Sequence, residues 1–534
     1  MKKTLISKVA GLAMLLPCFS HAITLDDSIE VVSYDGAVIQ ANVMQPDNII
    51  EPAPAVILIH GYGGSENDNK AQAEHLAEEG YIVLRYTARG FHDSDGMINF
   101  AGPDDMEDFS AVIDFMLANY PVDADAIGAG GISYGSMISS LGAAHDSRVK
   151  AIAAMSGSMD ALESLYGNYT NLGIFAAGLE VIGYTNGTPD PYIMELLYAL
   201  RFNDSSYLPE VRDWAGLRSP INFVDQLNSN GTAVYIMKEW DDYLFKPNRA
   251  LDMFELLTGP KHMEVSPGTH GSSTVFSSIP WDTAYKWFDL HLKGEQNELA
   301  GAPIFNIEVE GTGERENYHS YPIATDENVY HLHPRKDLGA GKLESGEFYR
   351  SWWTELLFGK VKTNTINSAT PSVFTTGIPG LGVLGGIDLG PLDIYLIPIT
   401  NVHLSSAINS IYFDTSSLSE KMEIRGVPSI SLNIKPHSHN VQVVGYLYDV
   451  GPLGSAKMIT HGVSTLLDTA WGAPVDMQFD FVATAYDIPA GHKLAVAFDT
   501  QDNIQYLRPE YTARNLDFEF SNKMQSTLVI PTLP

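Results

Sequence analysis

Gly131-Ile132-Ser133-Tyr134-Gly135 lies between two segments of different character, and that setting decides the fold. Upstream, residues 125–131 (DAIGAGG) read as a short strand of small residues. Downstream, Ser136-Met137-Ile138-Ser139-Ser140-Leu141 reads as the start of a helix. A Gly-x-Ser-x-Gly at a strand-to-helix turn has a mechanical meaning. The glycines let strand and helix pass close together, and the strained turn lifts the serine hydroxyl over the sheet. The serine also stands at a helix N-terminus, where peptide dipoles favour developing negative charge. In a chain with 46 glycines the pentapeptide alone is a weak signal, so its context carries the reading.

That context is a sheet. Between 28 and 269, strand-like and helix-like segments alternate, the pattern of an α/β fold. Strands are predicted at 29–34, 38–44, 55–59, 82–86, 126–130, 149–155, 233–237 and 263–265, the first two forming a hairpin. Helices are predicted over 67–79, with Ser65 as N-cap and Gly80 as the stop, and over 106–119, where Phe109, Val112, Ile113, Phe115 and Met116 recur at helical spacing. Between the strands at 149–155 and 233–237 the chain inserts about 75 residues, far more than a crossover needs. The insert is helix-like and aromatic, with Tyr166, Tyr169, Phe175, Tyr184, Tyr192, Tyr198, Phe202, Tyr207 and Trp214. It reads as a cap, about 157–230, over the C-terminal edge of the sheet, where ligands bind. Past about 300 the hydrophobic period becomes two, with strands at 429–435, 441–448, 477–486 and 493–499, an all-β sandwich. The expected division is therefore 1–22 targeting segment, 23–300 catalytic domain and 301–534 β-sandwich. Residues 376–398, rich in Gly, Leu, Ile and Pro and almost uncharged, are expected to be a packed loop.

Composition narrows the function. The 534 residues are 45% apolar and 18% charged, enough for a sizeable core. With 32 basic and 65 acidic residues the net charge is -33, which repels nucleic acid and anionic membranes. Lys2, Lys3 and Lys8, the apolar run 9–19 and Ser20-His21-Ala22 form an export signal. Its removal takes three lysines and no acid, from -33 to -36, and carries away Cys18, the one cysteine. Pro17 does not suit a lipid-attachment site at Cys18. The exported chain is then expected to be periplasmic or extracellular, without disulfides, thiolate chemistry or Cys-based metal sites. No later apolar run reaches the 18 residues of a spanning helix.

A serine hydroxyl needs a base to take its proton and an acid to orient that base. In the α/β-hydrolase order both follow the serine. After the 233–237 strand stands Lys238-Glu239-Trp240-Asp241-Asp242, and Asp242 is favoured because Leu244 and Phe245 can anchor its loop, with Asp241 the alternative. After the last strand Pro267-Gly268-Thr269-His270-Gly271 places His270 between glycines. The oxyanion donors are expected to be the backbone N–H groups of Tyr134 and of Tyr62, in His60-Gly61-Tyr62-Gly63-Gly64, with the Tyr62 phenol as a possible substitute and His60 supporting the loop. Trp240 and Tyr166 are expected to line the substrate pocket. No metal or cofactor is expected: His437-Ser438-His439 lacks a third ligand, and Gly128-Ala129-Gly130-Gly131-Ile132-Ser133 puts Ser133 where a dinucleotide fingerprint needs its third glycine.

These pieces together resemble the X-Pro dipeptidyl-peptidase and cocaine-esterase-like hydrolases. Gly131-Ile132-Ser133-Tyr134 is similar to the family's elbow, and Arg89-Gly90-Phe91-His92-Asp93-Ser94-Asp95-Gly96 to its Arg-Gly-x-x-x-Ser-x-Gly stretch. The segment from Asp108 to Leu117 resembles the one leading to the elbow, and Trp240-Asp241-Asp242 the Trp-x-Asp acid motif. Tyr448-Asp449-Val450 and Ile488-Pro489-Ala490-Gly491-His492 resemble its jelly roll. The resemblance implies an α/β-hydrolase sheet with a helical cap insertion, followed by an all-β jelly-roll (galactose-binding-like) domain. Two departures stand out. His60-Gly61-Tyr62-Gly63 replaces the family's Arg-x-Pro-Tyr, and Glu239 replaces the glycine before the Trp. The leading expectation is a serine hydrolase cleaving acyl esters through an acyl-enzyme. The alternatives are an X-Pro dipeptidyl-peptidase, with Glu163, Glu180 and Glu195 as candidates to hold a free ammonium group, and a silent carbohydrate-binding protein.

Overall fold

Ten strands form the first sheet, in the order β1-β2-β4-β3-β5-β6-β7-β8-β9-β10. They are β1 (Ile23–Val32), β2 (Val38–Pro46), β3 (Ala53–Ile59), β4 (Ile82–Tyr86), β5 (Val122–Ile132), β6 (Val149–Met155), β7 (Ala233–Glu239), β8 (Lys261–Ser266), β9 (Phe305–Glu308) and β10 (Arg315–Tyr318). The computed structural model describes residues 22–367, 409–502 and 514–534, apart from 48, 203, 243, 324, 337 and 338, together with 383–384, 387–388 and 400–401. The predicted export segment and the 376–398 stretch lie outside the described residues except for Ala22, 383–384 and 387–388.

The chain begins with antiparallel pairs, β1 with β2 and β2 with β4. From β4 through β9 neighbouring strands are parallel. Parallel strands need crossovers, so both faces are covered and the strands read as continuous apolar runs. On β3, Ile57 and Ile59 join the core on one face while Val56 and Leu58 join the core on the other. Helix α2 (Pro103–Asn119) begins with proline at its first position and Asp104 and Asp105 in its first turn, which suit a helix N-terminus. It buries Phe109, Val112, Ile113 and Met116, as the spacing predicts. The helix predicted at 67–79 is shorter, α1 (Lys70–Glu78), and Asn69 caps it with left-handed backbone. Ser65 belongs to the preceding turn, where its carbonyl accepts the Asp68 amide.

The insert after β6 is helical: α4 (Ala161–Tyr166), α5 (Gly173–Asn186), α6 (Pro191–Arg201), α7 (Leu208–Gly216) and α8 (Val224–Asn230). Among the described residues no helix is long and apolar enough to cross a membrane.

The first sheet continues past the expected boundary at 300. Phe305 and Ile307 of β9 are buried and extend the core beside β8, so the sheet ends only at β10. Beyond it the described residues form an all-β fold apart from a short helix, Trp352–Phe358. Strand Ser429–Pro436 alternates buried and half-buried residues, whereas Val441–Val450 is buried throughout. The second pattern arises because that strand faces two layers. Val443 and Leu447 enter the sandwich core, and Val444, Tyr446 and Tyr448 pack with Leu172 of the cap. The single strand predicted at 477–486 is broken into Val475–Asp480 and Thr484–Ile488. Between them the Asn248 side chain donates to the Phe481 carbonyl at 2.8 Å and accepts the Ala483 amide at 2.9 Å. A side chain from the first domain thus takes over part of the ladder.

Candidate active site

The elbow follows β5 and leads directly into α3 (Tyr134–His145). Ser133 adopts φ 60, ψ -115, a strained conformation for a residue with a side chain. A Cβ on Gly131 or on Gly135 would collide with the Ile59 carbonyl oxygen, so β3, β5 and α3 can meet only with glycine at both positions. The Ser133 amide donates to the Met155 carbonyl at 2.9 Å, which holds the strained turn.

Two loops bring partners to it. After β8, Gly268 (φ 131) and Gly271 (φ 73) bend the chain around His270, and the Gly268 carbonyl accepts the Asp241 amide at 3.0 Å. After β7, Asp242 is fully buried. Its Oδ1 accepts the Phe245 amide at 3.0 Å and its Oδ2 accepts His270 Nδ1 at 3.0 Å. With Nδ1 donating, Nε2 is the free acceptor, and it lies 3.0 Å from Ser133 Oγ. Ser133, His270 and Asp242 are therefore joined in one hydrogen-bonded series. Asp241 does not enter it: its carboxylate acts on Glu310, on the side of the β-domain.

Charge around this series is unusual. Burial would raise the Asp242 carboxyl, but the Lys238 ammonium and His270 outweigh it and bring it down to about 2. Burial lowers the His270 imidazole, and the Asp242 carboxylate more than offsets this, leaving it above its ordinary value. An imidazole so placed, beside an ionised carboxylate, can take a proton from Ser133 Oγ and later return it.

The sequence offers two backbone amides as anion donors, those of Tyr134 and Tyr62. That of Tyr134 is the first of α3, among the first-turn amides with no intrahelical acceptor. Tyr62 and Ser133 line the same cavity. The Tyr62 hydroxyl stands 2.9 Å from where a Cβ on Gly183 of α5 would be, and burial raises the phenol well above its usual range. His60 is buried, its Nδ1 donating to the Gly61 carbonyl at 2.6 Å and its Nε2 accepting the Ala88 amide at 2.9 Å. Burial lowers its pKa, so it is a neutral strut.

Beside Ser133 and His270 opens a cavity of about 230 Å³, walled largely by Phe100, Met137, Leu165, Phe175, Leu179, Ile182, Trp214, Leu244 and Phe245. Arg218 also lines it, with its guanidinium held by the Asn99 and Trp214 carbonyls. Trp240 and Tyr166, expected in the pocket, do not line this cavity. The Trp240 indole donates to the Glu308 carbonyl at 2.9 Å and so staples β7 to β9, and Tyr166 is buried edge-on against Tyr169. Glu163, Glu180 and Glu195 are also elsewhere. Glu163 pairs with Lys246 at 3.3 Å, Glu180 with Arg201 at 3.2 Å, and Glu195 accepts the Tyr207 hydroxyl at 2.6 Å. His437 is bound to Asp517 at 2.9 Å, with Trp471 beside it and His439.

Sequence reasoning missed Lys238, Asp105 and Arg218. A buried lysine on a strand has no local signature. Asp105 accepts the Tyr134 hydroxyl at 3.0 Å, and burial with Asp108 nearby pushes it up to about 7. The Arg89-Gly90 motif is visible in sequence and works structurally. Arg89 grips Asp108 of α2 through two nitrogens, at 2.7 and 2.6 Å.

The comparisons agree with this architecture. Residues 35–183 match the family model described as X-Pro dipeptidyl-peptidase (S15 family). Residues 399–530 match that of the X-Pro dipeptidyl-peptidase C-terminal non-catalytic domain. No curated protein matches the chain by sequence. Among solved structures, a CocE/NonD family hydrolase from Staphylococcus aureus superposes with TM-score 0.72 at 13% identity, covering 96% of this chain and 94% of that one. An aminopeptidase from a Thaumarchaeota archaeon gives 0.71 at 13%, covering 99% of each chain. An α-amino acid ester hydrolase gives 0.71 at 14%, covering 99% of this chain and all of that one. Residues in both halves match, in order, the two models of the X-Pro dipeptidyl-peptidase family, and the chain is a serine hydrolase with the α/β-hydrolase fold.

Proposed function

We propose that the enzyme cleaves esters of small or medium apolar acyl chains, with Ser133 as nucleophile, His270 as general base and acid, and Asp242 as its orienting partner. Ser133 Oγ adds to the ester carbonyl as its proton passes to His270 Nε2. The oxyanion of the tetrahedral intermediate sits between the Tyr62 and Tyr134 amides. On collapse the carbonyl re-forms, the alcohol leaves with the proton from His270, and the acyl group stays on Ser133. Water then adds by the same route, and the carboxylic acid departs with Ser133 restored. The sequence of residues 1–22 supports export before the enzyme acts.

The observation that carries the choice of ester is the cavity lining, which among the described residues includes apolar and aromatic side chains and no carboxylate. A dipeptidase must hold its substrate's ammonium group, and an unpaired buried charge is costly. The three glutamates considered for that task are engaged away from the cavity.

The test compares p-nitrophenyl butyrate with Ala-Pro-p-nitroanilide on one preparation, alongside Ser133→Ala and a fluorophosphonate label. The ester should have the higher kcat/KM, and the variant should lose at least about 10³ in activity and all labelling. A peptide rate above the ester rate, lost when the amine is acetylated, would establish the peptidase instead.

A further inference from the structure

We propose that Lys238 and Glu239, the last two residues of β7, are positioning residues that set the pH range in which His270 can accept the Ser133 proton. The proposal rests on the reading of Ser133, His270 and Asp242 as the reacting set. Both side chains are fully buried. Lys238 Nζ donates to Asp242 Oδ2 at 2.8 Å, the same oxygen that takes His270 Nδ1, and to the Gly157 carbonyl at 3.3 Å. Glu239 Oε1 accepts the Ser156 hydroxyl at 2.9 Å, while its Oε2 is buried with no hydrogen-bond partner among the described residues.

Buried charges of this kind are a poor way to stabilise a fold. Apolar residues of similar volume usually serve as well or better. Here they lie against the group that must change charge during the reaction. An imidazole facing a lone buried carboxylate is held as imidazolium, and an imidazolium cannot take a proton from serine. An ammonium on the same carboxylate oxygen weakens that hold, and a second carboxylate restores part of it. The two residues therefore act on His270 with opposite sign.

The charged groups that act most strongly on His270 are Asp242, Glu239 and Lys238, the first two raising its pKa and the last lowering it. Glu239 is itself pushed up to about 7 by burial and by Asp242. Other charges near these loops are engaged elsewhere: Lys246 pairs with Glu163 of α4, and Asp241 acts on Glu310.

The experiment is the pH dependence of kcat/KM for p-nitrophenyl butyrate, from pH 5 to 9, in the full chain. The variants are Lys238→Met, Glu239→Gln and the double variant, each checked by circular dichroism and by fluorophosphonate labelling of Ser133. Lys238→Met should move the acid limb to higher pH by about one unit, Glu239→Gln should move it to lower pH, and the double variant should fall between them. A structural role alone would lower activity at every pH and leave the limb in place. Glu239→Gln keeps an acceptor for Ser156, so the sign of its shift decides the matter even where Lys238→Met does not fold. A limb unmoved or moved upward in Glu239→Gln, with Ser133 still labelled, overturns the proposal. Failure of the unmodified enzyme to label at Ser133 would instead remove the reading beneath it.

Discussion

Phe245 sets its ring edge-on to the His270 imidazole, with centroids 4.9 Å apart and planes at 86°. The same residue gives its amide to Asp242 Oδ1 at 3.0 Å. One residue therefore fixes the imidazole from the side and the carboxylate from below, and its ring also forms part of the cavity wall. Phe245→Ala leaves the amide bond to Asp242 but frees the imidazole to tilt. It should lower kcat for p-nitrophenyl butyrate by about tenfold, since small misplacements of a catalytic group are expensive in rate. Phe245→Tyr, which keeps the ring, should stay within about threefold on the same ground. Equal rates for the alanine variant and the unmodified enzyme would remove this role.

The two adjacent aspartates separate cleanly. Asp242 bonds His270 Nδ1, whereas Asp241 acts on Glu310. Asp242→Asn should lower kcat by about 10³–10⁴, because an amide in that place can stabilise the wrong imidazole tautomer. Asp241→Asn should cost about tenfold or less, as the loss of a charge outside the hydrogen-bonded series. Steady-state kinetics of the two variants, with thermal unfolding as a check on folding, measures both. A reversed order would move the acid by one residue.

Much of this was legible in the sequence because it is local. Gly131, Ser133 and Gly135 fall within five residues, and the strand endings that follow put Asp242 and His270 on loops at one edge of the sheet. What escaped depends on distant contacts. Nothing local in Lys238-Glu239 marks the pair as buried, and only the packing of β7 against Gly157 and Ser156 shows both side chains inside. The cap's aromatic content announced a pocket but not which rings face it. Trp214 does, while Tyr166 turns to Tyr169. That the first sheet runs past 300 was hidden for a similar reason. Strands β9 and β10 are four residues each, too short to carry a period, and are recruited by pairing, β9 with β8 and β10 with β9.

The pH profile follows from the His270 environment. The imidazole must be neutral to accept the Ser133 proton, and its pKa lies above the ordinary value because the Asp242 carboxylate outweighs burial. Protonation as the pH falls therefore removes activity, and the acid limb of kcat/KM should centre above pH 6.5, His270's unperturbed value. Asp242, held at about 2, stays ionised throughout and contributes no limb in the working range. Ester hydrolysis measured between pH 5 and 9, corrected for spontaneous cleavage, tests this. A limb centred below the ordinary histidine value would mean that burial dominates.

Acyl-chain preference should respond to the cavity floor. Ala161, at the start of α4, is buried and lines the cavity, and its small side chain leaves room that a ring would take. Its amide donates to Ser219 Oγ at 2.9 Å, a backbone bond that phenylalanine at 161 can also make. Ala161→Phe places several more carbon atoms in a space already bounded by Phe175 and Trp214. Longer acyl chains then lose burial worth about 0.8 kcal/mol for each methylene excluded, so two lost methylenes correspond to roughly fifteenfold in kcat/KM. Acetyl esters, which need none of that space, should keep most of their rate. Kinetics on p-nitrophenyl acetate, butyrate and octanoate would show the ratio of butyrate to acetate falling by about tenfold or more in the variant. Equal losses on acetate and butyrate would mean that acyl chains do not enter this cavity, and that it serves the alcohol side of the ester instead.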